Sequence, residues 1–233
     1  MRLGSGPGEL GPIDDRRAFV LANTVPQRPP LVPEIELHLA SEVVPLWQAS
    51  EEEMAESGLP PPYWAFAWVG GQALARYVLD QPTVCADKRV LDFACGSGIQ
   101  GIAAALAGAR HVAAADIDPF ARAAVHLNAQ LNGVEVSIVE EDVLGSAGGE
   151  WDLVLAGDVC YEAPMAARTE EWLHRLARGG ATVLLGDPGR TYLPKTGLER
   201  VVSYAVKTSR ELEDTDLRNT VVWRLVPPPQ KVS

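Results

Sequence analysis

The chain has 233 residues, a hydrophobic fraction of 47% and a formal charge of −11 from 20 basic and 31 acidic residues. That length fits one domain with additional segments, and the hydrophobic fraction is sufficient for a packed core. The acidic balance argues against a nucleic-acid partner, because binding to phosphates needs a basic surface.

Residues 1–60 are predicted to form an N-terminal extension that precedes the central pattern of the chain. Residues 1–12 are rich in Gly and Pro, which predicts disorder, and residues 42–56 are polar and partly helical in pattern. Three structured pieces are predicted between them: a helix from Asp14 or Asp15 to Asn23, a rigid extended link with three prolines over 27–33, and a half-buried strand over 34–40 that lies outside the central sheet.

Residues 61–226 are predicted to form the main domain, followed by a tail over 227–233. After a helix over 71–80, apolar runs of strand length alternate with segments of helical pattern, which is typical of a parallel, doubly wound sheet. The predicted strands are 89–93, 111–115, 134–139, 151–156 and 181–185, the predicted helices are 99–107, 119–131 and 164–178, and two last strands, 200–208 and 220–226, form a hairpin-like pair at one sheet edge.

The cysteines and the absence of long apolar runs bear on the compartment. Cys85, Cys95 and Cys160 are widely spaced and form no Cys-x-x-Cys pair, which predicts reduced thiols, no metal site and a cytoplasmic protein. No apolar run reaches the roughly 18 residues of a membrane helix, and the N-terminus has no secretory pattern. We therefore expect neither a membrane nor a metal as a partner.

A glycine-rich turn follows the first strand of the main domain. Gly96, Gly98 and Gly101 fit the pattern Gly-x-Gly-x-x-Gly, which marks a dinucleotide site, an S-adenosylmethionine (SAM) site or an ordinary tight turn. Asp92 precedes this loop, which carries no Lys or Arg, so we expect its carboxylate to face a ligand with positive charge. The sulfonium and amino groups of SAM fit that description better than a pyrophosphate does.

Carboxylates follow each inner strand, and the carboxyl ends of parallel strands meet at one edge of a sheet. Asp116 is placed to accept both ribose hydroxyls of a nucleoside cofactor, a device that NAD enzymes share, and Asp142 or Val143 is placed to meet an adenine amino group. A single acid at such a position is usually a helix cap, but five strand ends in succession predict a negative rim for a cationic cofactor and a cationic substrate. The acids are Asp92, Asp116, Asp118, Glu141, Asp142, Asp158 and Asp187.

Four aromatic residues lie within six positions, from Tyr63 to Trp68, ahead of Gly70-Gly71. One interpretation is core packing before the helix over 71–80. The other is a flat wall over a ligand, beside glycines that let the backbone approach closely. The sequence leaves both interpretations open.

The order of these motifs resembles the class I, seven-strand SAM-dependent methyltransferases. Asp158-Val159-Cys160-Tyr161 looks like the D-x-x-F/Y/W motif of the methyltransferase-like protein lysine methyltransferases. The aromatic stretch, Asp116-Ile117-Asp118-Pro119 and Gly186-Asp187-Pro188-Gly189-Arg190 are similar to the electron transfer flavoprotein β-subunit lysine methyltransferases. The resemblance runs from about residue 60 to 223 and implies a Rossmann-like α/β sheet of seven strands, mostly parallel with an antiparallel C-terminal strand. The human-type member is mitochondrial, whereas this chain has no convincing transit peptide. Its richness in Ala, Gly, Pro and Arg suggests a GC-rich bacterial gene, so we expect a bacterial counterpart.

The resemblance implies SAM as the cofactor and a lysine in an exposed loop of the flavoprotein β-subunit as the substrate. Asp158, by carboxylate or main-chain carbonyl, would orient the amine, and Tyr161 would flank it by a cation–π contact. The predicted cofactor-binding residues are Trp64, Trp68, Asp92, Ala94, Gly96, Gly98, Gln100, Asp116, Ile117, Asp142, Val143 and Asp158. The alternatives are methylation of ribosomal protein L11 or a small amine, an NAD-dependent oxidoreductase, and a non-catalytic SAM-binding partner.

Overall fold

The structure is a computed structural model of the chain, and it describes residues 13–41, 61–208 and 210–226. The predictions for residues 1–12, 42–56 and 227–233 lie outside these described residues.

A seven-stranded sheet forms the centre of the fold, with the strand order β5-β4-β3-β6-β7-β9-β8. Five strands are parallel, and β9 runs antiparallel to both β7 and β8. The strands of this sheet are β3 (Arg89–Phe93), β4 (His111–Ala115), β5 (Ser137–Val139), β6 (Leu153–Gly157), β7 (Thr182–Asp187), β8 (Leu198–Lys207) and β9 (Leu217–Leu225). The helices are α1 (Ile13–Asn23), α2 (Val69–Asp80), α3 (Ile99–Leu106), α4 (Pro119–Leu131), α5 (Ala163–Arg178) and α6 (Arg210–Glu213).

Helices cover both faces of the sheet, as its apolar central strands require. Helices α2 and α3 pack on one face around Val90 and Leu155, and α4 covers the same face at Ala114. Helix α5 packs on the opposite face through Trp172, against Leu91 and its neighbours. This confirms the predicted Rossmann-like, mostly parallel sheet with an antiparallel C-terminal strand.

Strands β3 and β6 are neighbours at the centre of the sheet, and the chain winds away from them in opposite directions. In open α/β sheets, ligands bind outside the carboxyl ends of the strands at such a switch point. The topology therefore points to the ends of β3 and β6, near Phe93 and Gly157, as the place to look for a site.

The N-terminal segment forms a small hairpin that is separate from the main sheet, as predicted. Strand β1 (Val25–Gln27) pairs antiparallel with β2 (Leu37–Leu39), which is shorter than the predicted strand over 34–40. The prediction of an extended link over 27–33 was wrong. The segment folds into turns closed by bonds from Val32 N to Pro29 O and from Ile35 N to Val32 O, because a fixed proline φ suits a turn as well as an extended chain.

Asn128 of α4 and Asn132, the residue that caps the end of α4, attach this hairpin to the main domain. The Oδ1 atom of the fully buried Asn128 accepts from His38 N at 2.7 Å, while its Nδ2 donates to Ser97 O in the glycine turn at 2.9 Å. Asn132 exchanges two hydrogen bonds with the main chain of Glu36, at 3.0 and 2.7 Å. The hairpin is thus connected, through one side chain, to the loop that follows β3.

In the described parts of the chain, we find no helix with the length and apolar character needed to cross a membrane.

Candidate active site

A cavity of about 590 Å³ opens at the carboxyl ends of β3, β4 and β6, the switch point of the sheet. Its size is that of a small-molecule site. Ten of the predicted site residues line it: Trp64, Trp68, Ala94, Gly96, Asp116, Ile117, Asp142, Val143, Asp158 and Tyr161. Asp92, Gly98 and Gln100 are not among its lining residues.

The glycine turn lies against Asp116 at the floor of the cavity. Gly96 and Gly98 have φ values of 49° and 77°, a left-handed conformation that favours glycine. Gly96 N donates to Asp116 Oδ2 at 2.9 Å, and Asp118 N donates to Asp116 Oδ1 at 2.9 Å. Oδ2 also accepts a long bond from Cys95 Sγ at 4.0 Å, whereas Oδ1 accepts one bond and retains a lone pair, so the carboxylate can still accept a hydroxyl donor from a ligand.

The prediction that Asp92 faces the ligand was wrong. Its side chain is fully buried and accepts bonds from Gln100 Nε2 at 2.6 Å and from Gly101 N at 2.8 Å. Burial raises the pKa of Asp92 to about 8 against these hydrogen bonds. Gly98 is the N-cap residue of α3, and a Cβ there would lie 2.9 Å from a methyl group of Val125. Asp92, Gly98 and Gln100 therefore shape the turn from behind, and their predicted contact with a cofactor has no support in the geometry.

The aromatic stretch serves both interpretations, at different residues. Trp64 is 2% exposed and stacks on Phe120 at 6.2 Å between ring centres, in a core cluster with Phe66. Trp68 is partly exposed, lines the cavity and donates from Nε1 to Tyr63 O at 2.9 Å. We conclude that Trp64 is mainly a core residue that reaches the cavity, and that Trp68 forms its wall.

The loop after β5 supplies the opposite side of the cavity. Asp142 accepts from Leu144 N at 2.9 Å, and its other oxygen lies 3.7 Å from Arg168 of α5. Val143 is half-buried beside it, and Ile117 is 70% exposed at the cavity mouth. An apolar wall with one acid nearby suits a flat ring that carries an amino group.

Asp158 follows β6 in a left-handed conformation, with a φ of 58°, and its carboxylate is buried. One oxygen accepts from Gly70 N at 2.6 Å and Gly71 N at 3.1 Å, in the first turn of α2. The other accepts from Arg190 Nε at 3.1 Å and Nη2 at 2.6 Å. Burial raises the pKa of Asp158 to about 6, although Arg190 opposes that change. Both oxygens are thus engaged by fixed donors of the protein.

The glycines beside Asp158 permit backbone contact rather than ligand contact, which corrects the prediction for Gly70-Gly71. A Cβ on Gly70 would lie 2.2 Å from Gly186 O, and one on Gly157 would lie 2.8 Å from Gly71 N. The start of α2 therefore packs directly on the ends of β6 and β7. This contact brings the two N–H groups to the Asp158 carboxylate.

Tyr161 lies at the cavity mouth and is 47% exposed, so it is not a core residue. Its ring centre is 5.6 Å from that of Tyr63, which in turn is 6.0 Å from that of Trp68. Burial is the main cause that raises the pKa of Tyr161, so the phenol stays neutral at physiological pH. The three rings form an aromatic border next to Asp158.

The predicted acidic rim is only partly present, because several of its members hold the backbone. Asp118 caps α4 by accepting from Phe120 N at 2.8 Å, and Asp187 accepts from Gly189 N and Arg190 N at 2.7 Å each. The carboxylates that line the cavity are Asp116, Asp118, Glu141, Asp142 and Asp158, beside two cationic side chains, Arg168 and Arg190. Sequence reasoning assigned no role to Arg190, although it ends the distinctive Gly-Asp-Pro-Gly-Arg segment.

The sheet topology, the glycine turn after β3 and the acid after β4 define a class I SAM-dependent methyltransferase. Residues 72–185 match the family described as "Ribosomal protein L11 methyltransferase (PrmA)". The crystal structure of SMU.776 complexed with SAH shares the fold, with a TM-score of 0.50, 10% identity, and coverage of 82% of this chain and 53% of that chain.

Among curated proteins, the chain is 38% identical over 221 residues to the electron transfer flavoprotein beta subunit lysine methyltransferase of Danio rerio, which covers 92% of this chain and 84% of that protein. It is 37% identical over 218 residues to the protein of the same name in Homo sapiens, with coverage of 91% and 82%. A ribosomal protein L11 methyltransferase of Syntrophotalea carbinolica is 38% identical over 149 residues, which covers 61% of this chain and 48% of that protein. The chain therefore belongs to the electron transfer flavoprotein beta subunit lysine methyltransferase family. The predicted methyltransferase activity and the SAM cofactor are confirmed at the level of family and fold.

Proposed function

We propose that this protein transfers methyl groups from SAM to lysine side chains of the electron transfer flavoprotein β-subunit, in the cytoplasm. The observation that carries the proposal is that Asp116, the residue predicted to hold the ribose, lines the same cavity as Asp158 and Tyr161. A cofactor and a lysine amine can therefore meet in one site. The names of the relatives support the choice of substrate, and three buried free cysteines support a reducing compartment.

The cofactor end of the site consists of the glycine turn, Asp116 and the loop after β5. Asp116 would accept the ribose hydroxyls, and Asp142 with Val143 would meet the adenine. Ala94, Gly96 and Ile117 would lie at the edges of this part of the site. Trp68 would cover the outer side. When bound, SAM supplies a methyl group that is already activated, so the protein has mainly to position the amine and exclude water.

At the amine end of the site, the geometry favours one of the two predicted ways in which Asp158 could orient the amine. Because both carboxylate oxygens of Asp158 are engaged by Gly70, Gly71 and Arg190, we assign the amine to the main-chain carbonyl of Asp158. Asp158 N donates to Gly186 O at 2.9 Å. In a parallel ladder, the N–H group that would then pair with the Asp158 carbonyl is that of residue 188. That residue is proline and has no N–H, which leaves the carbonyl available.

The transfer requires a neutral amine. A lysine at its reference pKa of about 10.4 must lose a proton, which costs about 4–5 kcal/mol at pH 7. The carbonyl of Asp158 would accept one remaining N–H and direct the lone pair toward the methyl group, while Tyr161 and Tyr63 flank the alkyl ammonium by cation–π contact. The amine would take the methyl group as the carbon–sulfur bond breaks, which would leave a neutral thioether and a methylammonium, so the one proton released overall would be the proton that the lysine loses beforehand.

The proposal is tested by incubating the protein with labelled SAM and three substrates: recombinant flavoprotein β-subunit, ribosomal protein L11 and free amines. We expect label on lysines of the flavoprotein, located by mass spectrometry, and a slower reaction at raised salt because the acidic cavity border attracts a basic loop.

Labelling of L11 or a small amine alone would refute the assigned substrate and leave the cofactor assignment intact. The match to the L11 methyltransferase family makes L11 the second candidate. Tight binding of NADH without binding of SAM would refute the whole assignment.

A further inference from the structure

Arg190 lies at the centre of an ion-pair network beside the proposed amine site. Its Nη2 donates both to Asp158 Oδ1 at 2.6 Å and to Glu213 Oε1 at 2.7 Å, while Nε donates to the same Asp158 oxygen at 3.1 Å. The three side chains are 18%, 10% and 4% exposed, in the order Arg190, Asp158, Glu213. The guanidinium carbon lies 5.9 Å from the ring centre of Trp68. One buried guanidinium thus connects two carboxylates and the cavity wall.

The network reaches from the site to the C-terminal hairpin. Glu213 ends the short helix α6, which lies between β8 and β9. Its second oxygen lies 3.9 Å from Arg218 Nε on β9, and Leu212 packs against the core cluster that contains Trp64. The connection between β8 and β9 is therefore held next to the cavity by the charged bridge from Arg190 and by the packing of Leu212.

We propose that Arg190 is a positioning residue for methyl transfer: by bridging Asp158 and Glu213, it fixes the turn over 158–161, with Tyr161, relative to the hairpin of β8 and β9. This inference rests on the proposed function of that turn as the amine site. The left-handed conformation of Asp158 is rarely adopted by residues other than glycine and is retained where surrounding contacts hold it. The fork of donors on Arg190 supplies two of those contacts from one side, and the N–H groups of Gly70 and Gly71 supply two from the other.

A lysine cannot reproduce the bridge, which makes Arg190→Lys the test variant. Lysine keeps the charge that the buried carboxylates require, so folding is retained, but one ammonium on a flexible stem replaces a planar fork that reaches both acids. Removal of the charge, as in Arg190→Met, would leave Asp158 and Glu213 unpaired and risks unfolding. Glu213→Gln provides the second variant, because it alters the other end of the same bridge. Arg210→Lys is the matched control, since Arg210 pairs with Asp216 on the surface of the same connection.

The measurements are kcat and KM for the flavoprotein, and the Kd for SAM by calorimetry. We expect Arg190→Lys to lower kcat by about 10- to 100-fold, since misplacement of a reacting group by about 1 Å can cost on the order of 100-fold in rate. The Kd for SAM and the melting temperature should stay close to wild type, and Arg210→Lys should behave as wild type. The double variant Arg190→Lys with Glu213→Gln should lose little more than the more severe single variant, because both interrupt one bridge.

Hydrogen exchange followed by mass spectrometry gives a readout that does not depend on activity. Arg190→Lys, and not Arg210→Lys, should accelerate exchange in peptides that cover residues 69–72 and 158–161. An unchanged kcat or unchanged exchange in those peptides overturns the inference, and a loss confined to SAM affinity would show that Arg190 binds the cofactor instead. If the wild-type protein binds SAM but methylates none of the substrates, the proposed function fails, and the exchange result still decides the role of Arg190.

Discussion

The contact between the start of α2 and the ends of β6 and β7 can be tested by a pair of adjacent substitutions. A Cβ on Gly70 would lie 2.2 Å from Gly186 O and 2.5 Å from Asp158 Oδ2, whereas one on Gly71 would meet only a methyl group of Ile99, at 3.1 Å. Gly70→Ala must therefore displace backbone, while Gly71→Ala requires a small adjustment of one side chain. Both substitutions add the same methyl group to the same helical turn.

The cost of Gly70→Ala follows from the bonds that the displacement breaks. Restoring an ordinary contact moves the helix start by about 1 Å, which takes the N–H groups of Gly70 and Gly71 out of reach of the Asp158 carboxylate. Hydrogen bonds to a charged group contribute about 1.5–3 kcal/mol each, and the exchange of Gly for Ala in a helix returns about 1 kcal/mol. The net loss is about 2–5 kcal/mol, which for a chain of this length lowers the melting temperature by about 4–20 °C.

Calorimetry and the methylation assay measure both consequences. We expect Gly70→Ala to lose stability and most methyl transfer together, because the support of Asp158 is lost. Gly71→Ala should melt within a few degrees of wild type and stay active. A Gly70→Ala protein as stable and as active as wild type would show that α2 does not pack on β6 and β7 as described.

Three further predictions concern the walls of the cavity. Asp116→Ala should weaken SAM binding about tenfold or more in calorimetry, because unpaired hydroxyls cost about 1–3 kcal/mol. Burial raises the pKa of Asp116, so the affinity of the wild-type protein for SAM should be full above that raised pKa and should fall as the pH drops through it. The affinity of Asp116→Asn should not depend on pH in this way. A parallel fall in both proteins would refute the placement of Asp116 at the ribose. Trp68→Ala should weaken SAM binding with little change in the melting temperature, whereas Trp64→Ala should mainly lower the melting temperature. If both variants lower the melting temperature equally, Trp68 is a core residue. Tyr161→Ala should slow methylation at unchanged SAM affinity, with Tyr161→Phe milder; a Phe variant as slow as Ala would assign the role to the hydroxyl.

The sequence predicted the sheet and most of its elements because long periodic segments carry a strong signal. The helix over 119–131 and the strands over 89–93 and 111–115 have the predicted bounds. The strand predicted over 134–139 is reduced to Ser137–Val139, because it lies at the sheet edge and pairs on one side only. Elements at the edge receive fewer contacts, so local pattern alone cannot fix where they end.

The site was predicted less completely, because spacing along the chain does not show which way a side chain points. Asp92 lies near the end of β3 and Asp116 directly follows β4, yet Asp92 turns into the protein to hold Gly101 N, and Asp116 lines the cavity. Likewise, the pair Gly70-Gly71 indicated that the backbone comes close to another group, but that group is the Asp158 carboxylate and not a ligand. The link from Arg190 to Glu213 joins two segments 23 positions apart, and no local pattern predicts such a pair.

The acids at the strand ends share a structural role that the prediction of an acidic rim for a ligand did not include. At this edge, each parallel strand gives way to a loop whose N–H groups have left the ladder, and those groups need acceptors where water is excluded. Asp92, Asp118 and Asp158 accept from N–H groups in the first turns of helices α3, α4 and α2, and Asp187 accepts from its own loop. Asp116 meets the same need for Gly96 and Asp118, and like Asp118 and Asp158 it also lines the cavity. Backbone support therefore explains the acids at these strand ends, and a carboxylate that lines the cavity and keeps an oxygen with a single bond, as Asp116 does at Oδ1, can serve a cofactor as well.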